Sequence, residues 1–233
     1  MDKNTNTKEM STYIATLIHD LKTPVTAQIS AVELLLNNTF GELNSDQKEI
    51  LEQIKQSCEY SKNLIYCILD TYLYENGQIK PKPEKFNWNN LINNIINETS
   101  ALAKEKAQNI VIKSEITEKE IFADKFQIKR AIINLISNAI KYGFSNSTIE
   151  IETTQNQKDI IFNVKNCSKY VNTEMSENFF SKFVRNKNDK TSMNCGLGLY
   201  LTKKIISAHN GKVFGECKKT GECNFGFSLP KKI

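Results

Sequence analysis

The sequence predicts an α+β protein in which an N-terminal antiparallel helical hairpin precedes an α/β sandwich domain with a mixed sheet. Two long segments before residue 76 repeat apolar residues at alternating steps of three and four, which is typical of helices that pack on one another. One glycine and two prolines then interrupt the helical pattern within residues 77–83. From residue 86 onward, short alternating strand patterns are interspersed with amphipathic helices, which indicates a mixed sheet with helices on one face.

These patterns divide the chain into a helical hairpin at residues 1–76, a linker at 77–85 and a second domain at 86–233. The 233 residues are enough for two domains that each bury a core. A single two-helix hairpin cannot bury both of its apolar seams, whereas two copies can bury them in a four-helix bundle. We therefore expect a homodimer.

The first helix is expected from residue 7 to about residue 37, and it carries three polar residues away from its apolar seam. His19 and Thr23 are four residues apart and therefore share an exposed face, with Asp20 next to the histidine. Pro24 cannot hydrogen-bond to the carbonyl of Asp20, so it should bend the helix just beyond His19. A histidine, a carboxylate and a helix defect that all face water favour a chemical site, whereas a histidine beside an aspartate alone would favour an ordinary solvated surface. The seam itself comprises Ile14, Ile18, Leu21, Val25, Val32 and Leu35, with Gln28 in its one polar position.

The second helix is expected to begin at a cap formed by Asn44 or Ser45 and to end near Tyr74. A turn at residues 37–41 separates it from the first helix. Its seam again steps by four and three, and comprises Ile54, Cys58, Ser61, Ile65, Ile68 and Tyr72.

The second domain is expected to alternate strands with helices. The predicted strands lie at residues 86–88, 110–116, 121–122, 148–154, 160–165, 212–217 and 224–229. The predicted helices lie at residues 89–106, 124–142 and 197–209, with Asp124 opening the second and Gly211 ending the third. Residues 167–195 show weak periodicity apart from a turn rich in phenylalanine at 179–183.

Composition excludes several classes of protein. The net charge of +5 arises from 31 basic and 26 acidic residues scattered along the chain, and no basic cluster indicates a nucleic-acid platform. No segment reaches about 18 consecutive apolar residues, so no membrane span is expected, and the polar start lacks the apolar core of a signal peptide. The six cysteines show no Cys-x-x-Cys pair, so we expect reduced thiols in a cytoplasmic protein.

A polar stripe lies on the helix predicted at residues 124–142, and its residue types suit a phosphate site. Asn134, Asn138 and Lys141 step by four and three along this helix. A neutral amide oxygen suits Mg²⁺ while leaving room for phosphate oxygens and water, and a lysine one turn further on can neutralise a phosphate. The stripe taken alone is equally consistent with a solvated helix surface.

Four motifs resemble those of sensor histidine kinases. Residues 19–24, His-Asp-x-x-Thr-Pro, are similar to the phosphoacceptor box of that family. Residues 134–142 are similar to the N box of its ATP-binding domain, whose fold is shared with gyrase-type and Hsp90-type ATPases. Residues 195–199 resemble the glycine-rich box that ends the ATP lid, and Phe180 and Phe183 match the F box.

The resemblance implies an ATP-dependent protein-histidine kinase of a two-component system. His19 would take the γ-phosphoryl group of ATP, Asp20 would orient the imidazole and accept its proton, and Thr23 would position water for the reverse, phosphatase reaction. The phosphohistidine would then donate to an aspartate on the receiver domain of a response regulator. The implied partners are a second copy of the chain, that regulator and an unknown upstream sensor, with no nucleic acid and no membrane span.

The resemblance also implies a site for ATP and Mg²⁺ in the second domain. Asn134 would coordinate Mg²⁺, and Asn138, Lys141 and Arg185 would hold phosphates. Glycines in the closing box would let the backbone approach phosphate at the start of the following helix. The remaining residues of the implied nucleotide site are Tyr142, Asn166, Gly196, Leu197 and Gly198.

One stretch departs from the family pattern. The family usually has Asp-x-Gly-x-Gly after the strand predicted at 160–165. In the family, the aspartate accepts a hydrogen bond from the adenine amino group. This chain has Asn166, Ser168 and Tyr170 in place of the aspartate and the two glycines. The asparagine carbonyl can still accept that bond, without the charge that strengthens it. The first glycine of the lid's closing box is replaced by Asn194. Two alternatives therefore stay open: an ATP-independent phosphotransfer or response-regulator phosphatase module, and a non-enzymatic dimeric adaptor.

Overall fold

The computed structural model describes residues 3–117, 120–168, 178–184 and 196–231, with side chains from residue 16 onward. The chain forms two compact units, one extending to Gln78 and the other starting at Ile79. Across the described ranges, no helix is both long and apolar enough to cross a membrane.

The first unit is a hairpin of two helices, α1 (Lys3–Leu36) and α2 (Ser45–Glu75). Asn44 caps α2, because its side chain accepts a hydrogen bond from Gln47 N at 2.8 Å and its own N–H donates to Gln47 Oε1 at 3.0 Å. Both helices occur where the sequence predicted them, although α1 begins earlier than expected. Since α1 continues through Pro24, the bend expected there stays a prediction.

The apolar seam predicted for α1 is only partly buried within one hairpin. Ile18 and Val32 are buried, and so is Ile29, which the sequence analysis did not include. Leu21 keeps 48% of its surface exposed, as expected of a hairpin that cannot cover both seams by itself. Among the described side chains of this unit, the exposed large apolar residues are Leu17, Leu21, Leu34, Phe40, Ile50, Ile54 and Ile68.

The second unit alternates strands and helices as predicted. Its strands are β1 (Glu84–Asn87), β2 (Asn109–Ser114), β3 (Glu120–Ala123), β4 (Thr148–Gln155), β5 (Asp159–Cys167), β6 (Lys212–Cys217) and β7 (Glu222–Pro230). Its helices are α3 (Trp88–Glu105), α4 (Lys125–Tyr142) and α5 (Gly198–Ala208). Each of these bounds lies within two residues of the predicted one.

Five of these strands form one mixed sheet in the order β2-β4-β5-β7-β6. β2 pairs with β4 in parallel, and the other three pairs are antiparallel. β1 and β3 form a separate antiparallel ribbon. Burial alternates along β4 and β5, so one face of the sheet is apolar and packs under the helices. The predicted α+β class with a mixed sheet is confirmed.

Trp88 lies at the centre of this core, although the sequence analysis placed it in an edge strand. β1 ends at Asn87, whose side chain accepts a hydrogen bond from Asn90 N at 3.0 Å and so caps α3. Trp88 is fully buried, with its ring centroid 6.1 Å from that of Phe162 and 6.4 Å from that of Phe227. The strand assignment was wrong because the cap at Asn87 starts the helix one residue earlier than expected.

Charged side chains occupy the other face of the sheet. Lys113 Nζ lies 2.7 Å from Glu150 Oε2. Lys165 Nζ lies 2.6 Å from Glu152 Oε2 and 3.6 Å from Glu150 Oε1, and the hydrogen bond to Glu152 is the largest cause that raises the pKa of Lys165. Hydrogen bonding to Glu152, followed by the hydrogen bond from Lys113, lowers the pKa of Glu150 to about 2.

The lowered pKa of Glu150 predicts a specific pH dependence of stability. Because the pKa lies below its ordinary value of 4.5 in the folded chain, the ionised carboxylate stabilises the fold above pH 4.5, and this contribution is lost as pH falls toward about 2. Thermal unfolding across this interval should show a smaller loss of Tm in Glu150→Gln than in the parent chain. Glu84→Gln, which changes an exposed carboxylate on β1, should retain the parent profile. Equal profiles for Glu150→Gln and the parent would contradict the prediction.

Cys217 and Cys223 form a disulfide bond, with their Sγ atoms 2.01 Å apart, so the prediction of reduced thiols throughout was wrong. The two residues are directly opposite each other in the register of β6 and β7, with their Cα atoms 4.1 Å apart. The absence of a Cys-x-x-Cys spacing gave no sign of this bond, because a hairpin turn brings together cysteines six residues apart. Among the described residues, Cys58, Cys67 and Cys167 are outside any disulfide bond.

Candidate functional site

The histidine predicted to accept phosphate is exposed on α1. The side chains of His19 and Asp20 are 79% and 69% exposed, and His19 Nδ1 lies 3.5 Å from Asp20 Oδ1. A carboxylate beside Nδ1 favours the imidazole tautomer with its proton on that nitrogen, which leaves a lone pair on Nε2. The pair can therefore act as a nucleophile with an adjacent proton acceptor.

Thr23 lies one helical turn after His19, and its hydroxyl is tied to the backbone. Thr23 Oγ1 donates a hydrogen bond to the carbonyl of His19 at 3.0 Å. A hydroxyl that donates to the backbone keeps its lone pairs, so it can still accept a hydrogen bond from a water molecule beside His19. Its expected role in hydrolysis stays a prediction.

Asn134 on α4 is held against the first turn of α5. Its Nδ2 donates to Gly198 O at 3.2 Å and lies 3.5 Å from Thr202 Oγ1. Thr202 Oγ1 in turn donates to Gly198 O at 3.0 Å. Because these contacts use the amide nitrogen, the atom of Asn134 that can bind a cation is Oδ1.

The two glycines of the closing box, Gly196 and Gly198, differ in whether a side chain could replace them. Gly196 has φ +68, and a Cβ there would lie 2.7 Å from Val184 O, so its conformation and packing both require glycine. A Cβ on Gly198 would have its nearest neighbour, Asn134 Cγ, at 3.9 Å. Packing alone therefore permits a side chain at Gly198, and its absence leaves room beside Asn134. Leu197 lies between the two glycines and is buried.

Three further predicted residues lie on the last two turns of α4. Asn138, Lys141 and Tyr142 are half-buried, and Lys141 Nζ lies 5.5 Å from the centroid of the Tyr142 ring. Lys106, which the sequence analysis did not identify, donates from Nζ to Ile140 O at 3.0 Å and to Lys141 O at 2.6 Å. A cation at these carbonyls stabilises the C-terminal end of α4.

Asn166 is buried near the end of β5, beside α4. Its Nδ2 lies 3.4 Å from Ala139 O, so its Oδ1 is the atom suited to accept a hydrogen bond from a ligand. Ser168, two residues further on, is also buried, donates from its N–H to Gly221 O at 2.8 Å and forms an isolated β-bridge with Gly143. Ser168 is therefore held from two sides.

The phenylalanine-rich turn contacts the end of the sheet. The ring centroid of Phe179 lies 5.1 Å from that of Phe225, and that of Phe180 lies 6.2 Å from it. Phe183 is 66% exposed and has φ +59, a backbone conformation that is uncommon for a bulky residue. The other predicted positions in this region, Tyr170, Arg185 and Asn194, lie outside the described residues.

A buried histidine fixes the relative positions of α4 and α5. His209 Nε2 accepts a hydrogen bond from Asp124 N at 3.1 Å, and its Nδ1 lies 2.8 Å from Ile205 O. Asp124 also accepts from Gln127 N at 3.1 Å, as an N-cap, and from Lys82 N at 2.8 Å. The cap at Asp124 was predicted from the sequence, whereas His209 was not, because Asp124 lies 85 residues away from it.

The chemistry of these side chains fits a bound magnesium nucleotide. Within the described ranges, no cluster of three or more His, Cys, Asp or Glu side chains is arranged to hold a metal ion. Asn134 could supply one amide oxygen to Mg²⁺, with phosphate oxygens and water as the other ligands, which is how Mg²⁺ is usually held beside nucleotides. Asn138, Lys141 and Tyr142 follow on the same helix, whereas His19, Asp20 and Thr23 belong to the hairpin unit.

Two family models match the chain. The model described as His Kinase A (phospho-acceptor) domain matches residues 9–77. The model described as Histidine kinase-, DNA gyrase B-, and HSP90-like ATPase matches residues 123–233. The first match contains the exposed His19–Asp20 pair, and the second contains the contact between Asn134 and Gly198.

Curated relatives extend well beyond the length of this chain. Sensor protein KdpD of Clostridium acetobutylicum is 28% identical over 229 residues, which cover 96% of this chain and 25% of that protein. Adaptive-response sensory kinase SasA of Trichormus variabilis is 27% identical over 228 residues, which cover 93% of this chain and 56% of that protein. The chain thus spans between a quarter and about half of these relatives.

Solved structures share the fold. Full-length ShkA in complex with AMPPNP aligns with 95% of this chain and 46% of its own, at a TM-score of 0.78 and 20% identity. The nucleotide-free catalytic domain of histidine kinase ThkA aligns with 65% of this chain and 97% of its own, at a TM-score of 0.58 and 28% identity.

Proposed function

We propose that this chain, which belongs to the sensor histidine kinases and carries their phosphoacceptor and ATPase domains, uses ATP to phosphorylate His19 in two-component signalling. The single observation that carries the proposal is the exposed His19–Asp20 pair within a matched phosphoacceptor domain. The matched ATPase domain favours this activity over ATP-independent phosphotransfer.

In the proposed reaction, the Nε2 lone pair of His19 attacks the γ-phosphorus of ATP. The bond between that phosphorus and the bridging oxygen breaks, ADP leaves, and the Nδ1 proton of the imidazolium passes to Asp20 Oδ1. The 3.5 Å separation of Nδ1 and Oδ1 supports this transfer, since a small rotation of either exposed side chain brings them into hydrogen-bond distance. The phosphohistidine then donates to an aspartate of a receiver domain.

The phosphate end of the nucleotide would lie between α4 and α5. Asn134 Oδ1 would hold Mg²⁺, which when bound neutralises charge on the phosphates. Asn138, Lys141 and Arg185 would contact phosphate oxygens, and Tyr142 would line the site beside Lys141. Support comes from the room beside Asn134 and from the position of Gly196, Leu197 and Gly198 immediately before or at the start of α5.

The adenine end would lie beside Asn166. Its Nδ2 is engaged with Ala139 O, which supports a role for Oδ1 as the acceptor from the adenine amino group. A neutral acceptor makes a weaker bond here than a carboxylate would, so we expect this chain to discriminate less strongly between adenine and guanine nucleotides than relatives with aspartate.

Each domain would have its own role in the proposed reaction. Residues 1–76 would dimerise and carry the phosphohistidine, residues 77–85 would link the domains, and residues 86–233 would bind ATP and catalyse transfer. The partners would be a second copy of the chain, a response regulator receiver domain and an upstream sensor. Because ATP and receiver domains meet in the cytoplasm, we place the reaction there.

Dimerisation predicts a large effect of charge on the exposed apolar face of α2. Ile54 is 43% exposed on α2, and burial of such side chains in a four-helix bundle would stabilise a homodimer. Ile54→Glu would place a charge in that interface, so we expect it to weaken dimerisation by about 100-fold or more. Sedimentation equilibrium over a range of concentrations measures this change.

Gln53→Glu is the matched control for Ile54→Glu. It adds the same charge at the neighbouring position, where the side chain is polar and exposed. This variant should dimerise like the parent chain. A monomeric parent, or equal dimerisation of Ile54→Glu and Gln53→Glu, would contradict the proposed interface.

The test of the proposed function is label transfer from ATP. The full chain, incubated with γ-labelled ATP and Mg²⁺, should acquire label that is labile in acid and stable in alkali, as phosphohistidine is. Titration with ADP and Mg²⁺ in a calorimeter should show saturable binding. Absence of label on the full chain in the presence of Mg²⁺ would overturn the proposed function, and so would absence of nucleotide binding.

A further inference from the structure

The disulfide closes a hairpin that other bonds already hold. Lys218 N donates to Glu222 O at 2.8 Å, Gly221 N donates to Lys218 O at 3.0 Å, and the side chains of Lys218 and Glu222 form an ion pair at 2.8 Å. The link between Cys217 and Cys223 spans a sequence separation of only 6, and closing so short a loop removes little freedom from the unfolded chain. The fold of the second unit should thus survive its reduction.

The same end of the hairpin supports the segment beside the proposed adenine site. Cys223 is the Cα partner of Asn166 in the register of β5 and β7, and both residues are buried. Ser168 N donates to Gly221 O, inside the loop that the disulfide closes. The disulfide therefore restrains the strand end that carries Asn166.

The two cysteines of the disulfide differ in exposure. Cys217 is half-buried, whereas Cys223 is 5% exposed. An incoming thiolate can therefore reach Cys217 Sγ first and displace the thiolate of Cys223. In a cytoplasmic protein, a disulfide is more often transient or redox-sensing than structural.

We infer that Cys217 and Cys223 form a reversible dithiol–disulfide site that controls nucleotide affinity through Asn166, an inference that rests on the proposed function. The reductant is a dithiol of the Cys-pair class: its first thiolate forms a mixed disulfide with Cys217, and its second thiol then displaces Cys217. The products are two protein thiols and a disulfide in the reductant, so two electrons and two protons are transferred. Exchange with a small disulfide in the opposite direction restores the bond.

The experiment compares oxidised and reduced full-length chain. One sample is equilibrated with glutathione disulfide and the other with dithiothreitol, and alkylation followed by mass spectrometry reports the state of each cysteine. The Kd for ADP with Mg²⁺ should be about fivefold higher in the reduced sample. Reduction would loosen the end of β5 that carries Asn166, and this strand end would then have to be ordered on binding. Circular dichroism should show the same folded content in both samples.

Two serine variants separate this site from other thiols. Cys217→Ser should bind ADP with the weaker affinity under both conditions. Cys167→Ser, which removes an exposed thiol on the same strand as Asn166, should keep the difference. Equal affinities of the two parent samples, or alkylation of both Cys217 and Cys223 after treatment with glutathione disulfide, would overturn the inference and leave the proposed function standing. Absence of nucleotide binding in both samples would overturn the proposed function itself.

Discussion

Replacing His19 with glutamine should abolish phosphorylation of the chain by ATP while leaving nucleotide binding unchanged. Glutamine approximates the length and polarity of histidine but offers no imidazole nitrogen to attack phosphorus. The position is 79% exposed on α1, so the substitution should change stability little. Loss of the acid-labile label from γ-labelled ATP, together with an unchanged Kd for ADP and Mg²⁺, is the expected result.

Thr26→Gln provides the control for His19→Gln. Thr26 lies two helical turns further along the same face of α1 and is also exposed, so this variant introduces the same side chain without touching the nucleophile. It should be phosphorylated at the parental rate. Persistence of acid-labile label in His19→Gln would show that another residue accepts the phosphoryl group, and the proposed role of His19 would then be wrong.

Local signals in the sequence were sufficient for most of the fold. α4 begins directly after Asp124, whose side chain caps the helix by accepting a hydrogen bond from the N–H of Gln127, three residues further on. Both residues of this cap are close in sequence, so the cap could be predicted. The same kind of signal predicted a cap at Asn44 or Ser45 for α2, and Asn44 is the residue that caps it. It failed at Trp88, where the strand pattern continued for one residue past the cap at Asn87.

Contacts between residues that are distant in sequence could not be predicted from the periodicity of apolar residues. His209 is 85 residues from Asp124, the residue whose backbone it accepts from, and its spacing from other polar residues carries no sign of that bond. Lys106 was missed for the same reason, since the carbonyls that it contacts lie 34 and 35 residues away. The Cys217–Cys223 pair is close in sequence, and it was missed because the pairing depends on the register of the hairpin between β6 and β7. Such pairings depend on the folded sheet rather than on any local pattern.

The polar stripe on α4 could be interpreted only when its local sequence pattern was combined with a contact to a distant residue. From the sequence, Asn134 and Asn138 were equally consistent with a solvated surface and with a cation site. The structure brings Asn134 to Gly198, 64 residues away, with its amide nitrogen occupied. Because Nδ2 is occupied, Oδ1 is the atom available to a cation. Asn134 would therefore have two functions, contact with α5 through Nδ2 and metal binding through Oδ1, and substitution by alanine would remove both.

Asn134→Ala should lower the rate of autophosphorylation by about 100-fold or more, because it removes the proposed ligand to Mg²⁺ and the two contacts that hold the start of α5. Asn134→Asp separates these effects: it keeps an oxygen for the metal but places a carboxylate oxygen against Gly198 O, where the amide had donated. Its affinity for ADP should therefore retain a dependence on Mg²⁺, whereas that of Asn134→Ala should not. Calorimetric titrations with and without Mg²⁺ measure this difference.

The matched control for Asn134→Ala is Asn94→Ala on α3. Asn94 is exposed on that helix, so the variant makes the same chemical change away from the α4–α5 contact, and it should keep the parental rate and the parental response to Mg²⁺. If Asn134→Ala lost no activity, or lost it while nucleotide binding kept its full dependence on Mg²⁺, the metal would have to be held elsewhere. The proposed arrangement of the phosphates between α4 and α5 would then fail with it, because it depends on a cation at Asn134 to neutralise their charge.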